Sequence, residues 1–255
     1  MEVSNKYIWK NEHKRNNNPL LPSSIRGIII GKSNSGKSVI LLNLLLQDGY
    51  LDYDHLYIFG KSLHQKEYKI IRKGLEKGLS KQEISNLFQN QDKIKQLNIN
   101  LDDLIEQYDA NNKSINAEFF EDCNTIPDPS ELNENNKNLM VFDDCILEKQ
   151  NKADAYYTRG RHNNIDCFYI SQNYFLLPRK TIRENANFII LFPQDAKNIN
   201  HIYQDHCTDI DFQEFKQFCK LCWETKHNFV VIDLTSHKFN GKYRCNFNKF
   251  YIPET

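Results

Sequence analysis

The sequence predicts an α/β domain around a central, mostly parallel sheet, and three observations carry that prediction. Residues 31–38 read GKSNSGKS, the phosphate-binding pattern G-x-x-x-x-G-K-[ST] with every required position filled. The β-branched run Gly27-Ile28-Ile29-Ile30 precedes it and an apolar helical stretch, 39–46, follows, the order that aims a helix N-terminus at a phosphate. Two later apolar runs, 138–144 and 165–172, end in polar or acidic residues, as buried parallel strands do where they reach a ligand crevice.

Each position of the loop has a task. Gly31 and Gly36 allow the tight turn, and the backbone N–H groups of Lys32, Ser33, Asn34 and Ser35 point inward at the phosphates of ATP. Lys37 reaches the β and γ oxygens, and the Ser38 hydroxyl ligates Mg²⁺.

Bulk properties exclude several classes. A chain of 255 residues suits one large α/β domain with an insertion better than two small ones. Lys plus Arg and Asp plus Glu each number 33, so net charge selects no partner and any nucleic-acid contact must come from a local patch. The N-terminal stretch MEVSNKYIWKNEHKR lacks an apolar signal core, and no later apolar run approaches about 18 residues. The expectation is a soluble protein with no membrane segment, not secreted by this route. Seven scattered cysteines fit a reducing compartment. Cys219 and Cys222 have C-x-x-C spacing, with His206, Cys207 and His227 nearby, but they share helical spacing with Phe212, Phe215, Phe218 and Trp223. That periodicity predicts an apolar helix face in preference to a zinc site.

Along the chain, residues 1–24 read as a polar N-terminal arm and 25–255 as the nucleotide-binding domain. After the loop helix, Gly49 is a stop and 55–59 a second strand. Residues 61–138 read as a helical and polar insertion, with apolar helical spacing up to Tyr108, a capping box at Ser80 and Glu83, and an Asn-, Asp- and Pro-rich surface connection over 109–138. Between Lys61 and Lys81 seven basic residues face two acidic ones; Lys69, Arg72 and Lys73 are the candidates for DNA phosphates.

The strand Leu139-Met140-Val141-Phe142 ends in Asp143-Asp144, a Walker B arrangement. Asp143 would hold Mg²⁺ through water, and Asp144 would orient or deprotonate the attacking water. The run 165–172 ends at Gln172, placed near the γ-phosphate. Between these strands Arg159 and Arg161 flank Gly160 and are candidates for a finger reaching a neighbouring subunit's nucleotide. A short basic helix at 178–185, a strand at 187–192, two helices, a strand at 229–232 and a hairpin at 242–251 complete a parallel core of about five strands with antiparallel additions at the C-terminal edge. Asn151-Lys152-Ala153-Asp154 spells the guanine-reading N-K-x-D, but it follows the Asp-Asp strand directly and no D-x-x-G accompanies it, so it reads as coincidence.

In this order GKSNSGKS, VFDD, TRGRH, ISQNYF and IRENANFIILF resemble the viral genome-packaging ATPases of the FtsK/HerA class, those of poxviruses, other large DNA viruses, virophages and Polinton-like elements. The resemblance covers about residues 25–250. It implies a RecA/FtsK-like P-loop fold and a homo-oligomeric ring, hexamer or pentamer, that hydrolyses ATP between neighbours. Such a ring drives double-stranded DNA into a preformed capsid and docks on a capsid or capsid vertex protein. It also implies a virus-encoded protein of the infected cell's virus factory or cytoplasm, or of the virion. The family roles fall on Lys37, Ser38, Asp143, Asp144 and Gln172, with Arg159 or Arg161 as the trans-acting finger. Related motors often carry Glu where this chain has Asp144. A motor for recombination or conjugation, a small-molecule kinase and a non-catalytic nucleotide-binding scaffold would all share the loop.

Overall fold

The isoleucine run forms most of β1 (Arg26–Ile30), and its residues alternate between two cores: Ile28 and Ile30 face one, Ile29 the other. A strand buried on both faces needs a continuous apolar sequence, and a neighbour on each side. The computed structural model, which describes residues 17–90, 100–108 and 115–253, supplies both. The remaining strands are β2 (His55–Gly60), β3 (Asn116–Phe120), β4 (Asn138–Asp143), β5 (Ile165–Ser171), β6 (Phe188–Leu191), β7 (Val230–Asp233), β8 (Tyr243–Cys245) and β9 (Lys249–Tyr251). They form one sheet in the order β3-β2-β4-β5-β1-β6-β7-β8-β9. The first six in that order run parallel, and β7, β8 and β9 are added antiparallel.

Helices cover both faces. On one lie α1 (Lys37–Leu46), α2 (Lys66–Lys77), α3 (Lys81–Gln89) and α4 (Leu101–Glu106), burying Leu41, Leu44, Ile70, Ile71 and Ile84 against Ile58, Val141 and Ile170. On the other lie α5 (Asn151–Arg159), α6 (Ala196–His206) and α7 (Phe212–Cys222), whose Tyr156, Tyr157, Ile202 and Phe215 pack with Phe142, Tyr169 and Ile189. The capping box predicted for α3 is present: Ser80 N–H donates to Glu83 Oε2 at 2.7 Å and Glu83 N–H to Ser80 Oγ at 3.3 Å.

Two expectations are corrected. The parallel core has six strands, the sixth being β3, which lies within the stretch expected to be surface connection and pairs with β2 from His55↔Asn116 to Phe59↔Phe120. Its sequence, NAEFF, has the half-exposed pattern of an edge strand and so lacks the apolar run that marks the others. The stretch after it is also structured, with 3-10 turns at Cys123–Thr125 and Pro129–Glu131. Within the arm, 17–24 is tied to the sheet: Arg244 Nη1 donates to the Leu20 carbonyl at 2.6 Å, and Asn17 Nδ2 to Asp166 Oδ2 at 3.2 Å. Residues 1–16 lie outside the described residues.

Cys219 and Cys222 sit on the buried face of α7, and Cys222 Sγ donates to the Phe229 carbonyl at 3.1 Å. Among the described residues no three His, Cys, Asp or Glu side chains are grouped to hold a metal. No described helix is long and apolar enough to cross a membrane.

Candidate nucleotide site

The C-terminal ends of β5, β1 and β6 lie side by side, and the loop 31–36 rises from the middle one. It is anchored on one side by the Gly31 N–H to Ser171 carbonyl bond (3.1 Å) and on the other by Phe192 N–H to Ile30 carbonyl (2.8 Å). The two glycines serve different ends. A Cβ on Gly31 would stand 2.3 Å from Ser35 Oγ and 2.8 Å from Phe192 Cβ, so space forbids it. Gly36 has φ 112°, a left-handed conformation that glycine adopts without cost, and it opens α1. Asn34 is also left-handed at φ 61°. No side chain caps α1 and no acidic residue occupies its first turn, which leaves its leading N–H groups for an anion.

Lys37 lies across the loop, its Nζ donating to the carbonyls of Gly31 (2.6 Å) and Lys32 (2.9 Å). Burial pulls its pKa below the usual lysine value, and the charges of Asp143 and Asp144 act on it in the opposite direction. Asp143 ends β4, two strands from β1, and Asp144 follows it in the turn. Asp143 is half-buried; burial raises its pKa, a hydrogen bond from the Tyr68 hydroxyl lowers it, Asp144 raises it and Lys37 lowers it. Asp144 is exposed and left-handed at φ 50°, a conformation that Asp tolerates and that functional turns often hold. Gln172, just past β5, accepts from Ser33 Oγ at 3.3 Å. The structure thus brings Lys37, Ser38, Asp143, Asp144 and Gln172 to one edge of the sheet. Ser38 and Asp143 offer a hydroxyl and a carboxylate, the hard oxygen donors that suit Mg²⁺ with its retained waters.

Arg159 and Arg161 are not part of that edge. They end α5 and occupy the turn Gly160–Asn163 that leads into the first residue of β5, at the opposite end of the strand from Gln172. Both are exposed, and Arg159 Nη2 pairs with Asp128 Oδ2 at 3.1 Å. Of the basic trio on α2, Lys69 is exposed, the Arg72 guanidinium lies 4.6 Å from the centre of the Phe119 ring, and Lys73 pairs with Asp102 on α4. Asn151 and Asp154 lie in the first turn of α5, where Asp154 accepts from the Thr181 hydroxyl, away from the loop.

Sequence reasoning missed three residues. Tyr68 reaches Asp143 from 75 positions away, and its spacing in α2 marks it only as a core residue. Phe192 and His227 stand beside Gly36: its absent Cβ would lie 3.2 Å from Phe192 Cε1 and 3.7 Å from His227 Nδ1. Phe192 ends the apolar run of β6, which hints at its place; nothing in the sequence marks His227 for this one.

No family model and no curated protein matches this sequence. Several solved structures match along most of their length. The genome-packaging NTPase B204 of Sulfolobus turreted icosahedral virus 2, in complex with AMP, superposes with a TM-score of 0.52 at 10% identity, over 88% of this chain and 98% of that one. Its sulfate complex gives 0.51 at 12%, over 87% and 95%. B204, the DNA-packaging ATPase of Sulfolobus turreted icosahedral virus, gives 0.50 at 14%, over 86% and 95%. At these identities the likeness is one of fold: the chain shares with these proteins a mostly parallel α/β sheet flanked by helices, as its motif order predicts.

Proposed function

We propose that the chain is the subunit of an ATP-hydrolysing motor that packages double-stranded viral DNA. The observation that carries this reading is the convergence of Lys37, Ser38, Asp143, Asp144 and Gln172 on one sheet edge, in a fold shared with a packaging NTPase over 88% of the chain. In this reading the loop N–H groups and Lys37 hold the phosphates, and Asp144 and Gln172 orient the attacking water for in-line displacement. Ser38 and Asp143 would hold Mg²⁺, which would supply charge neutralisation at the phosphates. Arg159 and Arg161 lie too far along β5 to serve their own site and are exposed to meet a neighbour's, so hydrolysis waits on a homo-oligomeric ring. A trans finger of this kind is worth about 10³–10⁵ in rate in GTPases. DNA would meet Lys69, Arg72 and Lys73, the last two exchanging Phe119 and Asp102 for phosphates. The capsid or its vertex protein is the docking partner, and the infected cell or the virion the place of action.

The test is ATPase rate against protein concentration, with and without linear double-stranded DNA, on the wild type, Arg159→Ala and Arg161→Ala. Specific activity should rise with both, and one arginine variant should lose it while still binding nucleotide. Activity that is flat with concentration, indifferent to DNA and stimulated by a small acceptor would make the protein a kinase instead. For the basic trio, triple Ala substitution should weaken DNA binding and flatten its salt dependence, the log–log slope falling by about one for each phosphate no longer neutralised. An unchanged slope removes those residues from the interface.

A further inference from the structure

A cleft of about 480 Å³ opens beside the phosphate loop, on the β6 side of β1, whereas Asp143 lies two strands away on the other side. Polyphosphate spanning the loop with its γ end toward Asp143 therefore directs the rest of the nucleotide into this cleft. Beyond the loop and Ser38, its lining is Val39, Ile40, Phe192 and His227. Phe192 is fully buried behind the loop, against Gly31, Gly36 and Phe229 (ring centres 5.6 Å apart), so it backs the cleft rigidly without an exposed face of its own. Val39, in the first turn of α1, is 59% exposed, an aliphatic side chain left on the rim. His227 is held at φ 67°, unusual for a side chain with a Cβ. Its Nδ1 is 3.3 Å from the Ser35 carbonyl oxygen, which can only accept, so the ring carries its proton there and is pinned to the loop.

Resting on the nucleotide-site reading above, we propose that this cleft is the base subsite and that His227 stacks on the face of the base, with Val39 as the apolar rim beside it. Among the described residues no carboxylate or amide side chain lines the cleft outside the loop, so the base is gripped by its face and its edge is not read. Base stacking of this kind is sequence-tolerant because every base has a π-face. ATP and GTP then bind alike, and the N-K-x-D stretch has no part in base choice.

The experiment titrates Mg²⁺-ATP, Mg²⁺-GTP and inorganic tripolyphosphate onto the full chain in three forms: wild type, Lys37→Ala and His227→Asn. Asparagine tolerates the left-handed backbone and removes the ring. The expected result is loss of about tenfold in affinity for both purine nucleotides in His227→Asn, the size of one stacking contact, with tripolyphosphate unchanged. An ATP-to-tripolyphosphate affinity ratio equal to that of the wild type overturns the proposal, because His227 then only supports the loop. ATP and GTP differing by about a hundredfold in the wild type overturns face recognition, since that gap needs edge contacts worth about two tenfold steps. If neither ATP nor tripolyphosphate binds the wild type in a Lys37-dependent way, the phosphate loop reading itself fails, and the base subsite with it.

Discussion

The hydroxyl of Tyr68 donates a hydrogen bond to Oδ2 of Asp143, joining α2 to the carboxylate that ends β4. Tyr68 is buried, and burial followed by the charge of Asp143 drives its own pKa far above the usual phenol value, so it remains a donor at any working pH. For Asp143 the effects oppose one another. Burial favours the neutral acid, and the Tyr68 hydrogen bond favours the carboxylate that a cation needs. The helix that carries Tyr68 also carries Lys69, Arg72 and Lys73, so whatever moves α2 reaches the carboxylate through one side chain.

Tyr68→Phe removes the one hydrogen bond that lowers the pKa of Asp143 and leaves the burial that raises it. The acid then stays protonated to higher pH, and the acidic limb of Mg²⁺-dependent ATP binding shifts upward. A charge-assisted hydrogen bond is worth about 1.5–3 kcal/mol, enough for the shift to be measurable. Binding isotherms from pH 4 to pH 8 on both proteins check it; superimposable profiles would mean that the contact does not control the carboxylate.

Gly27→Ala should destabilise the strand beneath the phosphate loop. An added Cβ would stand 2.3 Å from Phe168 Cε1 and 2.4 Å from Cδ1, and Phe168 is fully buried with no room to retreat. The Gly27 carbonyl also receives the Tyr157 hydroxyl, which ties the strand to α5. Overpacking of this kind costs about 1–3 kcal/mol, and each kcal/mol lowers Tm by about 2–4 °C in a domain of this size. Thermal melts read the difference, and an unchanged Tm would mean that Phe168 can move.

What the sequence reveals follows from where burial is symmetric. The runs in β1, β4, β5 and β6 are continuous and apolar because helices cover both faces, so each is visible without alignment. NAEFF in β3 pairs on one side only and mixes Asn and Glu with aromatics, which hides it among polar neighbours. The loop, Asp143, Asp144 and Gln172 are legible because parallel strands deliver their C-terminal ends to one edge. The same rule places Arg159 and Arg161 at the far edge, since the chain must return there before β5 begins. Tyr68 and His227 are invisible in the sequence because their partners, Asp143 and Ser35, are brought to them only by the assembled sheet.

Arg244 and Asp233 form a buried pair at 2.6 Å on adjacent antiparallel strands, with side-chain exposures of 2% and 5%. Removing one partner leaves a charge without compensation in the core, so Asp233→Ala should cost about 3–5 kcal/mol. Replacing both by apolar residues, Asp233→Leu with Arg244→Met, should cost less than the single change, because no charge is then stranded. Urea unfolding midpoints decide it. A double variant as unstable as the sum of its singles would show that the two side chains act through separate contacts, Arg244 with the Leu20 carbonyl and Asp233 with Thr235 and Ser236, and not through each other's charge.

His206 makes stability depend on acid. Burial lowers its pKa from the ordinary 6.5 to about 4; Asp205 opposes that, and Lys242 and Arg183 reinforce it. Its Nε2 lies 2.7 Å from the Tyr174 hydroxyl, which also contacts Asp205 Oδ2 at 2.9 Å, so the neutral ring sits in a filled polar cluster. Between about pH 6.5 and pH 4 the unfolded chain binds a proton here that the folded chain refuses. Stability therefore falls as pH drops through that window and is level above it. At about 1.4 kcal/mol per unit, the loss across the window is about 3 kcal/mol. The half-buried Asp143 has the opposite slope at the acid end, because its raised pKa makes the folded state hold the extra proton. The diagnostic quantity is thus the difference between the wild type and His206→Gln, which removes one titration and leaves the rest. Denaturant midpoints from pH 4.5 to pH 7.5 should show the wild type losing stability faster as pH falls. Parallel curves would mean that His206 takes up its proton at the same pH in the folded and unfolded chain, and that its burial does not set its protonation.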